Sequence, residues 1–169
     1  MNQAIRSATN GEEFLIRANQ GDWRVAWHPP SSPPEGIPHG ANGICLPTDD
    51  TLVLISNDSE RWGLPGGRPE ANESWSETLS REMFEEAEAT VVEARLLGFT
   101  RAVCLSGSES GLILVRSLWR TLVELAPWEP RFEIPYRRVV PAEQWREHLW
   151  IDEGWGPIMN RAFAEAGLG

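Results

Sequence analysis

At 169 residues and 18.9 kDa, the chain is long enough for one domain with a sizeable apolar core. Its formal net charge of −10 argues against general binding to nucleic acids or anionic membranes. No apolar run approaches the length of a membrane span, and the polar N-terminus lacks the apolar region of a signal peptide, so we expect a cytoplasmic protein. All 15 basic residues are arginine, which excludes a catalytic lysine and leaves basic phosphate contacts to guanidinium groups.

The first part of the chain reads as strands joined by polar or proline-rich turns. Residues 1–20 are weakly patterned, with a frayed start and a short element around 14–16. Residues 22–28 alternate, with Trp23, Val25 and Trp27 on one face, which predicts a strand. The segment 29–38 is predicted to be a connector, because proline lacks the amide that helices and central strands need. Residues 39–47 and 51–57 are predicted to pair as an antiparallel hairpin.

A helix is predicted to begin at Trp75. Ser74 and Glu77 have the three-residue spacing of a capping box, which satisfies free amide groups at the start of a helix. An apolar stripe with a spacing of four residues follows and can face a core; it consists of Leu79, Met83 and Ala87.

The rest of the chain alternates strands with short connections. Residues 91–105 and 111–125 are predicted to form a hairpin through the polar loop 106–110, and residues 132–140 return as a strand. A turn or short helix is expected at 142–148 and a closing helix at 157–166. Many strands with one central and one terminal helix indicate an α+β fold, or mixed α/β sandwich.

Acidic residues are concentrated in and just before the predicted helix. Between positions 70 and 88 there are seven glutamates and one arginine, a local net charge of −6. Glu82, Glu85 and Glu86 fall within roughly a third of the helix circumference, where like charges repel. An acidic helix is often only a solvated face, but here the glycine pair Gly66–Gly67 precedes it. Clustered carboxylates and a close backbone carbonyl together suit Mg²⁺ or Mn²⁺ bridging to a phosphate.

The same stretch carries a motif. Gly67 is followed after five residues by Glu73, and after seven more by the run 81–86 (Arg-Glu-Met-Phe-Glu-Glu). The motif resembles the Nudix box of the Nudix hydrolases. Six fixed residues and both spacings agree, and the stretch falls on a loop and helix as the motif requires. The resemblance implies the Nudix fold, a mixed β-sheet packed between helices. It also implies a single domain over residues 1–169, with an N-terminal extension at 1–38 that contains the proline-rich connector.

The resemblance implies roles for individual residues. Glu82, Glu85 and Glu86 would coordinate the divalent cation, Mg²⁺ or Mn²⁺, with the backbone carbonyl of Gly66 as a further ligand. Glu73 would pair with Arg81 and hold the loop against the helix. The general base varies within the family and is left unassigned. The distant acids to consider, each more often a plain surface residue, are Glu109, Glu124 and Glu133.

The end of the helix departs from the motif. Where the family has a residue, a glycine and an aliphatic residue, this chain has Ala87, Glu88 and Ala89. These are good helix formers, and a residue with a Cβ enters the left-handed conformation at a cost of about 1–2 kcal/mol. We therefore predict that the helix continues through Glu88 and that the chain turns at Thr90. The alternative is a strained, left-handed Glu88.

Other residues of interest have equally plain structural interpretations. Candidate phosphate or ribose contacts are Arg68, Arg116 and Arg120, and candidate base-stacking residues are Trp62, Trp119 and Trp128. The histidines show no triad or metal-ligand spacing and are expected to be structural; they are His28, His39 and His148. The cysteines Cys45 and Cys104 are expected to be reduced, buried and unpaired.

Three functions are compatible with the motif. The leading one is metal-dependent hydrolysis of a phosphoanhydride bond in a nucleoside diphosphate linked to another moiety, with a small nucleotide-type molecule as substrate. The second is a non-catalytic Nudix-like module that binds nucleotides or metabolites; the intact Arg81–Glu82 and Glu85–Glu86 pairs favour the enzyme. The third is a Nudix isomerase acting on a prenyl diphosphate, for which no acid or thiol pair is visible around the cysteines. A homodimer is left open.

Overall fold

The computed structural model describes residues 6–18 and 21–169. The strands in chain order are β1 (Glu13–Ala18), β2 (Gly21–His28), β3 (Ile37–Thr48), β4 (Thr51–Ser56), β5 (Gly66–Gly67), β6 (Ala89–Cys104), β7 (Ile113–Leu125) and β8 (Tyr136–Pro141). The helices are α1 (Trp75–Ala87), α2 (Trp145–His148), which follows a 3₁₀ turn at Ala142–Gln144, and α3 (Gly156–Glu165). This combination of a sheet with helices is the α+β architecture that the sequence predicts.

The chain forms two compact units. The described residues of the first fall within 1–39, 97–117 and 151–169, and those of the second within 40–96 and 118–150. The strands β3, β6 and β7 contribute residues to both units. The acidic helix α1 and the glycine strand β5 belong to the second.

The first unit contains strands in the order β1–β2–β6–β7. β1 and β2 are antiparallel, with Ile16 opposite Trp23, and β2 and β6 are antiparallel, with Val25 opposite Ala102. The side chain of Trp27 on β2 is fully buried, as the predicted alternation of this strand requires. Buried apolar residues of α3 complete this part of the core; they include Ile158, Ala162 and Phe163.

The second unit contains strands in the order β6–β7–β3–β4–β8, with β5 paired beside β3. The hairpin of β3 and β4 brings Thr48 opposite Thr51, which confirms the predicted hairpin. β4 is also antiparallel to β8, and Val53 lies opposite Val139.

The apolar stripe of α1 is buried in the core of this unit. Leu79, Met83 and Ala87 have no measurable exposure, and they belong to one cluster with Cys45 on β3 and Val53 on β4. Full burial of a leucine or methionine side chain stabilises the fold by about 1.5–3 kcal/mol. The apolar stripe therefore fixes the rotation of α1, and its acidic face is left outside the core.

Several boundaries differ from the sequence prediction. β8 begins at Tyr136 rather than at position 132, directly after Pro135, which has no amide to donate to a neighbouring strand. β3 begins at Ile37, so the last two positions of the predicted proline-rich connector belong to a strand. The frayed start expected of the first residues lies, at residues 1–5, outside the described residues. The single domain over residues 1–169 with an extension at 1–38 stays a prediction.

Within the part of the chain that the structure describes, no helix has both the length and the apolar character needed to span a membrane.

Candidate active site

Three glutamates of α1 border one cavity. Glu82, Glu85 and Glu86 line a space of about 460 Å³, which is within the range of small-molecule sites. The segment 131–134, part of the connection between β7 and β8, lines the same cavity. The shared helical face predicted for the three glutamates therefore opens onto a volume large enough for a ligand.

Arg81 organises the acidic side chains around it. Its Nη1 donates to Glu82 Oε1 at 2.9 Å and to Glu85 Oε2 at 3.2 Å. Its Nε and Nη2 donate to the two carboxylate oxygens of Glu73 at 2.8 and 2.9 Å. Nη2 also donates to the backbone carbonyl of Arg68 at 2.9 Å. The guanidinium thus joins α1 to the preceding loop and offsets the repulsion among the carboxylates of α1.

Glu73 is held in the loop by more than Arg81. Its Oε1 accepts hydrogen bonds from the backbone amide of Glu70 at 2.6 Å and from the hydroxyl of Thr78 at 3.2 Å. Arg81, followed by this amide, lowers the pKa of Glu73 to about 2, so the carboxylate is ionised at neutral pH. The structure thus contains the Glu73–Arg81 pair that the resemblance implies.

The start of α1 follows the sequence prediction closely. Ser74 is the N-cap residue, and its hydroxyl accepts a hydrogen bond from the amide of Glu77 at 3.2 Å. The same hydroxyl donates to the Glu77 carboxylate at 2.9 Å. The predicted start at Trp75 is confirmed, and these local contacts fix where the acidic face begins.

The glycine pair brings the backbone close to the carboxylates. Gly66 and Gly67 form β5 and pair with Asn42 and Ala41 of β3. A Cβ at Gly67 would collide with the carboxylate of Glu82, and a Cβ at Gly66 would collide with the carbonyl of Ala41. Any side chain here would push aside either the carboxylate or the neighbouring strand, which accounts for the glycines.

Glu86 lies beside Glu82 in a partly buried position. Burial, followed by the charge of the Glu82 carboxylate, raises the pKa of Glu86 to about 8. A hydrogen bond from the backbone amide of Gly66 opposes this shift. In the absence of a cation, burial and the neighbouring Glu82 carboxylate therefore disfavour the charged form of Glu86.

The donor set fits a hard divalent cation. Carboxylate and carbonyl oxygens are the ligands that Mg²⁺ and Mn²⁺ prefer. The raised pKa of Glu86 marks two neighbouring carboxylates whose repulsion a cation would relieve. Among the described residues, no three acidic, histidine or cysteine side chains are already grouped as a metal site. The bonds from Arg81 hold Glu82 and Glu85 in another arrangement, so cation binding would require these side chains to turn.

The prediction that α1 continues through Glu88 is wrong. The helix ends at Ala87, and Glu88 has φ 50° and ψ 41°, the left-handed conformation for which the motif has glycine. β6 begins directly afterwards at Ala89, so the chain does not turn at Thr90. Glu88 is only 3% exposed, and its carboxylate accepts a hydrogen bond from the amide of Glu129 at 2.9 Å. Tertiary contacts therefore outweigh the helix propensity of these residues.

Sequence reasoning missed most of the segment that borders the cavity together with α1. The lining residues of this segment are Arg131, Phe132, Glu133 and Ile134, of which only Glu133 was a candidate. The ring of Phe132 packs edge-on against Phe84 of α1, with centroids 6.2 Å apart. The available signals are the proline-rich composition of 126–135 and the glutamate in place of the motif's glycine.

The three distant acids lie in different surroundings. Of the three, only Glu133 is among the described residues that line the cavity bordered by Glu82, Glu85 and Glu86, here called the carboxylate cavity. Glu124 is exposed on β7. Glu109 is exposed in the turn between β6 and β7 of the first unit.

The arginines suggested as phosphate contacts are not among the described residues that line this cavity. Arg120 forms an ion pair with Asp49 at 2.9 Å. Arg116 belongs to the first unit, where it lines a separate cavity of about 240 Å³. Arg68 is exposed, and its carbonyl accepts a hydrogen bond from Arg81.

The tryptophans suggested as stacking residues have contacts within the protein. Trp119 packs against the core of the second unit. The guanidinium of Arg138 lies 4.2 Å from the ring centre of Trp62, and that of Arg137 lies 5.0 Å from that of Trp128. Cation–π contacts of this kind stabilise the fold and need no ligand.

None of the histidines and cysteines is among the described residues that line the cavity bordered by Glu82, Glu85 and Glu86. Burial lowers the pKa of His28, and the carbonyl of His148 accepts a hydrogen bond from Arg138. Cys45 and Cys104 are both buried and unpaired, as predicted, and burial raises the pKa of Cys45 to about 12. His39 lines the same cavity of the first unit as Arg116.

Several solved structures share this fold. A mutant of the pyrophosphohydrolase BsRppH from Bacillus subtilis has a TM-score of 0.66 and 18% identity, over 86% of this chain and 90% of that one. A NUDIX hydrolase from Nitrosomonas europaea has a TM-score of 0.57 and 16% identity, over 79% and 89% of the two chains. A MutT NUDIX hydrolase from Burkholderia pseudomallei has a TM-score of 0.54 and 18% identity, over 76% and 98%. At these identities the likenesses show the fold.

Sequence comparison identifies the family. No protein of curated function matches the chain. The family model of the NUDIX domain matches residues 38–153, which is more than half of the chain. The match includes the glycine pair, the acidic helix and the cavity segment. The predicted Nudix fold and the predicted Nudix-type enzyme class are thereby confirmed, and the chain belongs to the NUDIX domain family.

Proposed function

We propose that this protein is a divalent-metal-dependent hydrolase that cleaves a phosphoanhydride bond in a nucleoside diphosphate linked to another moiety. The observation that carries the proposal is the group of three glutamates on α1, which border one cavity. One of them, Glu82, lies against the backbone of Gly67. Membership of the NUDIX family supports the hydrolase class, and a pyrophosphohydrolase is among the structures with the same fold.

In this proposal, Mg²⁺ or Mn²⁺ would be held by Glu82, Glu85 and Glu86 together with the carbonyl of Gly66. When bound, such a cation supplies neutralisation of charge on the diphosphate and a lowered pKa for a water molecule. The chain contributes hard oxygen ligands at the border of a cavity large enough for a diphosphate. Hydrogen bonds from Arg81 hold Glu82 and Glu85 in the cation-free arrangement, from which the two carboxylates would turn to bind the ion.

Hydrolysis also needs an acceptor for the proton of the attacking water. Glu82, Glu85 and Glu86 are the proposed cation ligands, whereas Glu133 borders the same cavity from the segment before β8. Glu133 is therefore our candidate for the general base.

The test is a hydrolysis panel with the purified protein. The panel contains dinucleotides, nucleoside triphosphates, sugar nucleotides and capped RNA, each with Mg²⁺ or Mn²⁺, and products are separated by chromatography. We expect turnover of at least one compound with metal and its loss in excess chelator. Equal turnover in chelator would contradict metal dependence, and no turnover of any compound would contradict the enzyme.

The same panel separates the alternatives. Calorimetric binding of a nucleotide without turnover would favour the non-catalytic module. Isomerisation of an added prenyl diphosphate would favour the isomerase, although both cysteines are buried and neither lines the carboxylate cavity among its described residues. The proposal includes a small nucleotide-type substrate and a cytoplasmic location.

A further inference from the structure

Glu88 is a buried carboxylate at a position where a glycine would suit the backbone better. Its left-handed conformation, with φ 50°, strains any residue that has a Cβ. Its side chain is 3% exposed, and its amide bonds to the carbonyl of Phe84 at 3.0 Å. The left-handed backbone and the burial of a carboxylate each destabilise the folded state by themselves. The carboxylate must therefore make contacts that offset both costs.

Three contacts of Glu88 go to one segment, 126–131. Glu88 Oε2 accepts a hydrogen bond from the amide of Glu129 at 2.9 Å, and Oε1 pairs with Arg131 Nε at 3.3 Å. The backbone carbonyl of Glu88 accepts from the amide of Ala126 at 3.0 Å. A glycine at position 88 would retain only the last of these three contacts.

The tethered segment leads directly into the cavity. Arg131 and the three residues after it line the cavity together with the carboxylates of α1. Arg137 supports the tether, because it donates to the carbonyl of Ala87 at 2.8 Å and to that of Ala126 at 3.0 Å. Arg137 therefore joins the end of α1 to the start of this segment through two backbone carbonyls.

Arg131 is the one cation among the described residues that line the cavity. Its Nε is engaged by Glu88, which leaves the terminal nitrogens to meet a ligand; one of them lies 4.0 Å from the carboxylate of Glu129. A guanidinium held in this way can bind a phosphate with two parallel hydrogen bonds. The other charged residues of the described lining are acidic, so Arg131 is the lining side chain whose charge attracts an anionic ligand.

We infer that Arg131 is a phosphate-binding residue of this site and that Glu88 is the positioning residue that aims it at the cavity. The inference rests on the proposed function, because it takes the ligand to be a diphosphate. Glu88 touches no substrate in this scheme. It acts through the segment that carries Arg131.

The first experiment measures ligand binding and kinetics in matched arginine variants. Arg131→Gln is compared with Arg61→Gln. Arg61 is 64% exposed against 63% for Arg131, and it pairs with Asp58 at 3.2 Å, but it does not line the cavity. With Mg²⁺ present, we expect Arg131→Gln to weaken binding of inorganic pyrophosphate, and to raise KM, by about 10-fold or more. We expect kcat to change much less, because uniform binding is lost. Arg131→Lys should recover part of the loss.

The second experiment tests Glu88 without substrate or turnover. Amide hydrogen exchange is followed by NMR in the parent, Glu88→Gln and Glu88→Gly. The Glu129 amide should stay protected in the Gln variant, whose side-chain oxygen still accepts a hydrogen bond, and lose protection in the Gly variant. The Ala126 amide should stay protected in all three, because its acceptor is the backbone carbonyl of residue 88.

The outcomes separate the inference from the proposed function. Absence of turnover across the hydrolysis panel would contradict the proposed function. Pyrophosphate binding and amide exchange would still decide the roles of Arg131 and Glu88. Absence of pyrophosphate binding by the parent, or equal binding by Arg131→Gln and Arg61→Gln, would overturn the role of Arg131. An unchanged Glu129 amide in a folded Glu88→Gly variant would overturn the positioning role of Glu88.

Discussion

Arg81 Nε donates to Glu73 Oε2 at 2.8 Å while Arg81 Nη2 donates to Glu73 Oε1 at 2.9 Å, so two parallel hydrogen bonds join α1 to the loop before it. The remaining terminal nitrogen of the same guanidinium contacts Glu82 and Glu85. One arginine therefore holds the loop in place and separates the carboxylates that border the cavity. Lysine would keep the charge but not the planar fork that makes both contacts.

This relationship predicts how Arg81 and Glu73 variants combine. Arg81→Lys and Arg81→Gln should both lower the denaturant midpoint and kcat, with the larger effect for Gln. Glu73→Gln should add little in the background of Arg81→Gln, because the pair is already broken. Urea unfolding of the two single variants and the double variant measures this. Fully additive losses would show that the two residues act independently.

A side chain at Gly67 should disturb chemistry more than stability. The added Cβ of Gly67→Ala would collide with the Glu82 carboxylate, which is the flexible end of a side chain and can turn away. We expect a small change in Tm but a fall of about 10-fold or more in kcat/KM, because a ligand group is displaced. Gly63→Ala is the control, since its Cβ would have no neighbour within 4 Å. Equal activity of the two variants would show that the close approach of Gly67 to the Glu82 carboxylate has no role in activity.

Replacements of Glu88 should separate backbone strain from side-chain contacts. Glu88→Ala loses the carboxylate and keeps the left-handed strain, whereas Glu88→Gly loses the carboxylate and relieves the strain. We expect the Gly variant to exceed the Ala variant in free energy of unfolding by about 1–2 kcal/mol. Urea denaturation of both variants checks this. A Gly variant no more stable than the Ala variant would contradict the left-handed exit.

Asp58 should make stability sensitive to acid. The backbone amides of Arg61 and Glu60 hold the pKa of Asp58 well below its usual range. Because the folded-state pKa is lowered, the stabilisation is fully present above the unfolded value, about 3.9, and declines as the pH falls below it. The Tm difference between the parent and Asp58→Asn should therefore shrink between pH 5 and pH 3. A constant difference over this range would contradict the assignment.

Local contacts explain why the start of the site could be predicted from the sequence. The capping box of Ser74 and Glu77 and the buried stripe of α1 depend on residues three or four positions apart, so periodicity and propensity suffice. The Glu73–Arg81 pair spans eight residues, and its prediction came from the resemblance to the motif. The hairpin of β3 and β4 was likewise predictable, because two strand-like runs are joined by the short polar turn at 48–50.

The parts that were not predicted depend on contacts distant in sequence. Helix propensity favoured continuation through Glu88, but its carboxylate meets an amide 41 residues further along the chain. The strand prediction began at position 132 and so included most of the lining segment, whereas β8 begins only after Pro135. Propensity says nothing about which segment packs against a helix end, so Arg131 was not a candidate.

The kcat of Glu86→Gln at saturating Mg²⁺ or Mn²⁺ tests the proposed metal-dependent hydrolase most directly. The substitution keeps the shape of the side chain and removes one ligand charge. We expect kcat to fall by about 10²-fold or more, through lost stabilisation of the developing charge. Without metal, Tm should hold or rise, because repulsion with Glu82 falls, and Glu124→Gln on the exposed face of β7 should behave like the parent. A folded Glu86→Gln variant with near-normal kcat at saturating metal would contradict the assignment of Glu86 and the metal site built on it.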